Sequence, residues 1–169
     1  MDIIKLYNMQ KALDGRIIEK HGLRGVYLLA NTVLALQVEL AEMINEWRGF
    51  KHWSKDREPR RAKMLTEASD CLHFYLSIAR QLGVPAEKLI IRDYQVDKED
   101  TSEALTELFL TIGKIALASK HDNQIKFFRA SWNLFFNILE QRLQIYPDDL
   151  YQAYIDKNAE NHIRQDNNY

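Results

Sequence analysis

Four acidic side chains in two neighbouring segments are the first residues here with chemistry in their spacing: Glu39 and Glu42, then Glu67 and Asp70. Each pair is i,i+3, which on a helix puts both carboxylates on one face, about 4.5 Å apart along the axis. Residues 26–47 and 64–79, which carry them, contain no Lys or Arg. Surface helices normally mix both signs, often as i,i+4 pairs. These acids sit instead in mostly apolar stretches. Glu39, Glu42 and Glu46 share an arc with Leu28 and Ala35, while Glu67 and Asp70 are flanked by Cys71, Phe74 and Ile78. The first stripe is acidic only near its C-terminal end, where the helix dipole disfavours negative charge. Carboxylates gathered in low dielectric need compensation, and hard oxygen donors suit divalent cations, Mg²⁺ first and Mn²⁺ second. Glu39, Glu42, Glu67 and Asp70 are the expected metal ligands, with room for more than one ion. A lone Glu-x-x-Glu usually means a solvated face; the missing bases and the second pair argue against that here.

The elements that must bring these acids together are helices. Only 6 Gly and 3 Pro punctuate 169 residues, too few for many short strands. The 46% hydrophobic content supplies a core, and the sequence patterns as an all-α, single-domain helical bundle over residues 1–169. Helices are expected over about 2–20, 26–47 and 60–82, with 48–59 as a loop. The loop is short enough to return the third helix antiparallel, so the two acidic pairs oppose each other. A short helix is expected around Ala86–Tyr94. A longer one follows from an Asp100 cap to about Lys120, then one capped by Asp122 or Asn123, and a last one starting at Asp148-Asp149.

Lys+Arg 23 against Asp+Glu 24 leaves a net charge of -1, so no global field draws the chain to nucleic acid or to an anionic membrane. No run of about 18 apolar residues and no secretory leader occurs. The single Cys71 excludes an intrachain disulfide and suits a reducing compartment. A soluble, cytoplasmic protein is expected.

The pattern Glu39-x-x-Glu42 with Glu67-x-x-Asp70 resembles the metal signature of the all-α nucleoside triphosphate pyrophosphohydrolases, which include MazG-type enzymes and dimeric dUTPases. Three further segments are similar to the dimeric dUTPases in particular. They are MQKALDGRI (9–17), VELAEMINEWRGFKHWS with EASDCLHFYLS (38–54 and 67–77), and the tail YIDKNAENHIRQDNNY (154–169). One departure is Asp166-Asn167-Asn168 before Tyr169, where the family often has a glycine.

The resemblance implies Mg²⁺-dependent hydrolysis of dUTP and dUDP to dUMP by a homodimer, which limits uracil in DNA. By that likeness Glu39 and Glu42 are catalytic, with Glu42 chosen to position or deprotonate the attacking water; the residues alone do not separate ligand from base. Gln10 and Asp14, at i,i+4, would read the imide edge of uracil, and Trp53 would contact the base. Lys51 would meet phosphates. His73 and Phe74 would pack against the nucleoside, with Phe74 excluding a 2′-hydroxyl. Lys157, Asn161 and Arg164 recur at i, i+4, i+7 with Asn158 and Gln165 alongside, and would supply donors to phosphate oxygens. Read without the likeness, several of these are ordinary features: a polar helix face at Gln10 and Asp14, core at Phe74, a solvated stripe on the last helix.

Three alternative readings stand beside this one. A related pyrophosphohydrolase would act on dCTP or other nucleotides. A di-iron carboxylate bundle would use Asp70-x-x-His73, but its second Glu-x-x-His unit is missing. A non-enzymatic module would use its apolar helices to bind a partner.

Overall fold

The structure, a computed structural model, describes residues 1–97 and 99–167; Asn168 and Tyr169 of the tail pattern lie outside the described residues. Among the described residues six helices form the fold: α1 (Ile3–Lys20), α2 (Leu29–Trp47), α3 (Arg61–Gln81), α4 (Thr101–Leu117), α5 (His121–Gln141) and α6 (Pro147–Asp166). A 3₁₀ turn, Ala86–Lys88, follows α3, and no strand occurs among the described residues. The protein is an all-α bundle, as the periodicity predicts.

α3 is the hub. It packs on α2, α6 and α1, while α4 pairs with α5 and crosses α2. Leu36, Leu40 and Met43 of α2 and Met64, Ala68 and Leu72 of α3 are fully buried in one core that α1, α4, α5 and α6 also enter. Each of the leucine and methionine side chains stabilises by roughly 1.5–3 kcal/mol relative to exposure. On α3, Tyr75 packs among Phe128, Trp132 and Phe135 of α5, which anchors the helix that carries Glu67 and Asp70.

Helix boundaries follow local chemistry, with four departures from expectation. α2 starts at Leu29 rather than Val26, because left-handed Gly22 and Gly25 turn the chain and leave Val26 and Tyr27 exposed. α4 begins at its Asp100 cap, whose carboxylate accepts from the N–H groups of Ser102 (2.6 Å) and Glu103 (3.2 Å), but it stops at Leu117. α5 starts at His121 without a side-chain cap, so neither Asp122 nor Asn123 serves as one. α6 starts at Pro147, which needs no N–H partner at the first position, with Asp148 and Asp149 in the first turn.

The short helix expected over 86–94 is absent beyond the 3₁₀ turn. The chain runs extended instead, because α5 offers its backbone better partners. Asn133 accepts from the Arg92 N–H (2.6 Å), and Asn137 donates to the Arg92 carbonyl (2.8 Å) and accepts from the Tyr94 N–H (3.2 Å). Gln141 donates to the Tyr94 carbonyl (2.7 Å) and accepts from the Val96 N–H (3.0 Å). Three amides at i, i+4, i+8 thus replace the partners a helix would have supplied.

The 48–60 loop is tied by Arg48, a left-handed residue (φ 62°) whose buried guanidinium donates to the Asp56 carbonyl at 2.6 Å. Gly49 lies against the Trp47 ring so closely that a Cβ there would overlap it. No described helix is long and apolar enough to cross a membrane.

Candidate metal and nucleotide site

The antiparallel return of α3 on α2 brings three of the four expected ligands together. One oxygen each from Glu39, Glu67 and Asp70 lies within 4.8 Å of the others. Burial, then the charges of Asp70, Glu42 and Glu67, push the Glu39 carboxyl up to about 7. Burial and neighbouring acids raise Glu67 as well, and burial raises Asp70 against the pull of Lys157. Glu42 is exposed one turn further along α2 and outside this closest group, though its charge acts on both Glu39 and Glu67. Glu46 faces Arg60 at 3.5 Å.

The bases missing from residues 26–47 and 64–79 come only in part from elsewhere. Lys157 of α6 reaches Asp70 at 2.7 Å. Three clustered carboxylates against one ammonium leave a deficit of positive charge, and an all-oxygen donor set suits a hard divalent cation. These residues fit such an ion.

Beside the cluster, a cavity of about 280 Å³ opens between α1, α3 and α6. Glu39 and Asp70 form its acidic end; Gln10, Asp14, His73, Phe74, Lys157, Asn161, Arg164 and Gln165 line the remainder. Four helices thus converge on one pocket that joins a cation-type cluster to amides, an aromatic ring and two basic side chains. The dUTPase family model matches residues 2–169. The chain belongs to the dUTPase family. No curated protein matches it. Its reaction is the hydrolysis of dUTP; dUTPases generally use a divalent metal, and an acidic cluster of Glu39, Glu67 and Asp70 is present here.

At its far end the cavity is tied by hydrogen bonds and an ion pair. Gln10 donates to Asp14 at 2.6 Å and accepts from the Tyr154 hydroxyl at 2.8 Å, and a carboxylate only accepts, so the amide orientation is fixed. Arg80 forms an ion pair with Asp14, which burial raises against the pull of Gln10 and Arg80. His73 lies stacked on Tyr154, with ring centroids 3.9 Å apart, and its Nδ1 donates to the Ser69 carbonyl at 2.9 Å. Burial lowers its pKa to about 4, so the ring is neutral at physiological pH.

On α6, Arg164 pairs with Glu160 at 2.6 Å and still lines the cavity. Asn158 is buried behind the lining residues. Arg16 binds the His162 carbonyl (3.1 Å) and Asp166, and so fastens the end of α6 to α1. Trp53 and Lys51 stand apart from the cavity lining. Trp53 is 67% exposed, edge-on to Phe50 and His52, and Lys51 donates to Asn45 at 2.6 Å.

Sequence reasoning missed Arg80, Ser77 and Tyr154. Ser77 sits at i+7 from Asp70 and Tyr154 at i−3 from Lys157, so extending each functional face by one turn would have found both.

Proposed function

We propose that this dUTPase hydrolyses dUTP and dUDP to dUMP with Mg²⁺ held by Glu39, Glu42, Glu67 and Asp70. The supporting observation is that the clustered carboxylates form one end of the same cavity that the amide, aromatic and basic residues line. Mg²⁺ bound there supplies neutralisation of phosphate oxygens and polarisation of the phosphorus centre.

The protein's own groups then have separate tasks. Lys157, Asn161 and Arg164 donate to phosphate oxygens, and Gln165 and the buried Asn158 hold that face of α6 in place. Lys157 pairs with Asp70 at 2.7 Å, and would be free to turn to a phosphate oxygen where Asp70 held a cation instead. Glu42, exposed beside the cluster, orients water and accepts its proton. Gln10, locked by Asp14 and Tyr154, reads the uracil edge. Phe74 packs on the sugar where a 2′-hydroxyl would clash. By the family likeness Trp53 contacts the base and Lys51 meets a phosphate, although both stand apart from the cavity lining in this structure.

A homodimer would cover the apolar face of α2 and α4. Leu34 (62% exposed) and Val38 flank Gln37, which donates to the Phe109 carbonyl of α4 at 3.2 Å, next to exposed Leu110. The chain acts as a single unit over residues 1–169, and its substrate pool puts it in the cytoplasm. The deciding assay incubates the protein with each deoxynucleoside triphosphate and with dUDP, first stripped with chelator and then with Mg²⁺ restored. Release of dUMP only with Mg²⁺ is expected. Preferential turnover of dCTP would transfer the enzyme to a sister specificity.

A further inference from the structure

Residues 91–95 run as a strand with only one side paired. Side chains of α5 hold the N–H groups of Arg92, Tyr94 and Val96 and the carbonyls of Arg92 and Tyr94, and Arg142 just beyond α5 donates to the Val96 carbonyl at 3.1 Å. The spacing explains the fit. Four residues of helix rise about 6 Å and two of extended chain about 6.6 Å, so amides one helical turn apart meet every second residue. Alternate residues of an extended chain aim their peptide groups in opposite directions. The N–H and carbonyl groups of Ile91, Asp93 and Gln95 therefore face away from α5. None of them has a hydrogen-bond partner among the described residues, and all three residues are exposed. An uncovered edge of this kind is a template for another extended chain.

A second feature says what sort of chain. A cavity of about 560 Å³ opens between the start of this segment and α5, with Lys88, Arg92 and Arg129 in its lining and no acid. None of the three forms an ion pair among the described residues. Beside them Ile90 and Tyr94 are 60% and 41% exposed. A second copy of this chain is a poor occupant: antiparallel pairing about Asp93, the midpoint of the edge, sets that carboxylate against its own twin, and like charges directly opposite destabilise a strand pair. Neither this segment nor α5 lines the nucleotide cavity. We propose that the outer edge of residues 91–95 pairs with an extended segment of another protein, whose acidic side chains enter the cavity of Lys88, Arg92 and Arg129.

Two acetylated and amidated peptides test this, Val-Thr-Val-Thr-Glu-Glu and its reversed sequence, which bring glutamates to the Lys88 end in antiparallel and parallel pairing respectively. Each is added to the isotopically labelled full chain, and amide exchange is read by NMR. One of them should slow exchange at Ile91, Asp93 and Gln95 by about tenfold at about 1 mM, with half the effect near 0.1 mM, roughly a weak transient affinity. Lysine in place of both glutamates should remove most of that protection. Asp93→Pro deletes an outward N–H and leaves the inward ladder whole, so it should abolish protection at Ile91 and Gln95 while dUTP turnover is unchanged. Lys88→Glu with Arg129→Glu should raise the half-effect concentration by about tenfold. The inference is overturned if neither peptide slows the outward amides, if the lysine versions protect as well, or if Asp93→Pro keeps full protection. It is also overturned if those amides exchange slowly without peptide and speed up on dilution, which would put a second copy on the edge. Turnover of dUTP enters only as a control, so this inference and the nucleotide reading stand or fall separately.

Discussion

Two carboxylate environments border the same cavity, and they are built on opposite principles. At the α1 end, Asp14 is fully answered from within: Arg80 supplies the charge, and Gln10 and Ser77 supply hydrogen bonds. At the α2 end, Glu39, Glu67 and Asp70 crowd within 4.8 Å and share a single lysine. The first environment is complete and positions other groups. The second is short of cations, which suits it to a divalent ion. An acid's surroundings, more than its identity, decide whether it is scaffold or ligand.

The sharpest way to break this contrast is to remove charge from the short end. Glu39→Gln or Glu42→Gln should lower turnover by about 10³-fold while the helical circular dichroism signal persists; an unchanged rate would remove the acids from the chemistry. At the complete end the damage should be to stability. Arg80→Met strands Asp14 and should cost about 3 kcal/mol in urea unfolding, and Asp14→Asn in the same background should recover part of it. A third test asks whether Lys157 is a stand-in for an ion. Lys157→Met should tighten Mn²⁺ binding without nucleotide by about 5–10-fold, read from the free-ion paramagnetic resonance signal; weaker binding would contradict that role.

The smallest effect is on pH. Glu39 ionises near 7 in the folded protein against 4.5 unfolded, so between those values the native state holds the extra proton. Stability from this group is complete below about pH 4.5 and declines as pH rises to 7. Chelator-treated protein should therefore show a fall in Tm of about 2 °C over that range, damped by solvent exposure, which Mg²⁺ reverses and Glu39→Gln flattens.

Helix identity, the acidic pairs and the polar stripe of α6 were legible because helical periodicity puts each on one face. The 48–60 segment was legible as a loop but not in its shape, which depends on the Arg48 guanidinium finding a backbone carbonyl eight residues on. The extended run after Lys88 was hidden for a similar reason. Its sequence suits a helix, and only amides more than 40 residues away draw it out. Lys157 was recognised as polar equipment of α6, yet its bond to Asp70 is a tertiary fact that no local spacing encodes.

The Asn133, Asn137 and Gln141 ladder grips residues 92–96 through main-chain atoms alone. Natural variation there should therefore be strict about imino acids, because Arg92, Tyr94 and Val96 each lend a peptide hydrogen that proline lacks. Arg92 and Tyr94 can change identity as long as they keep their amide proton, whereas buried Val96 must also stay apolar.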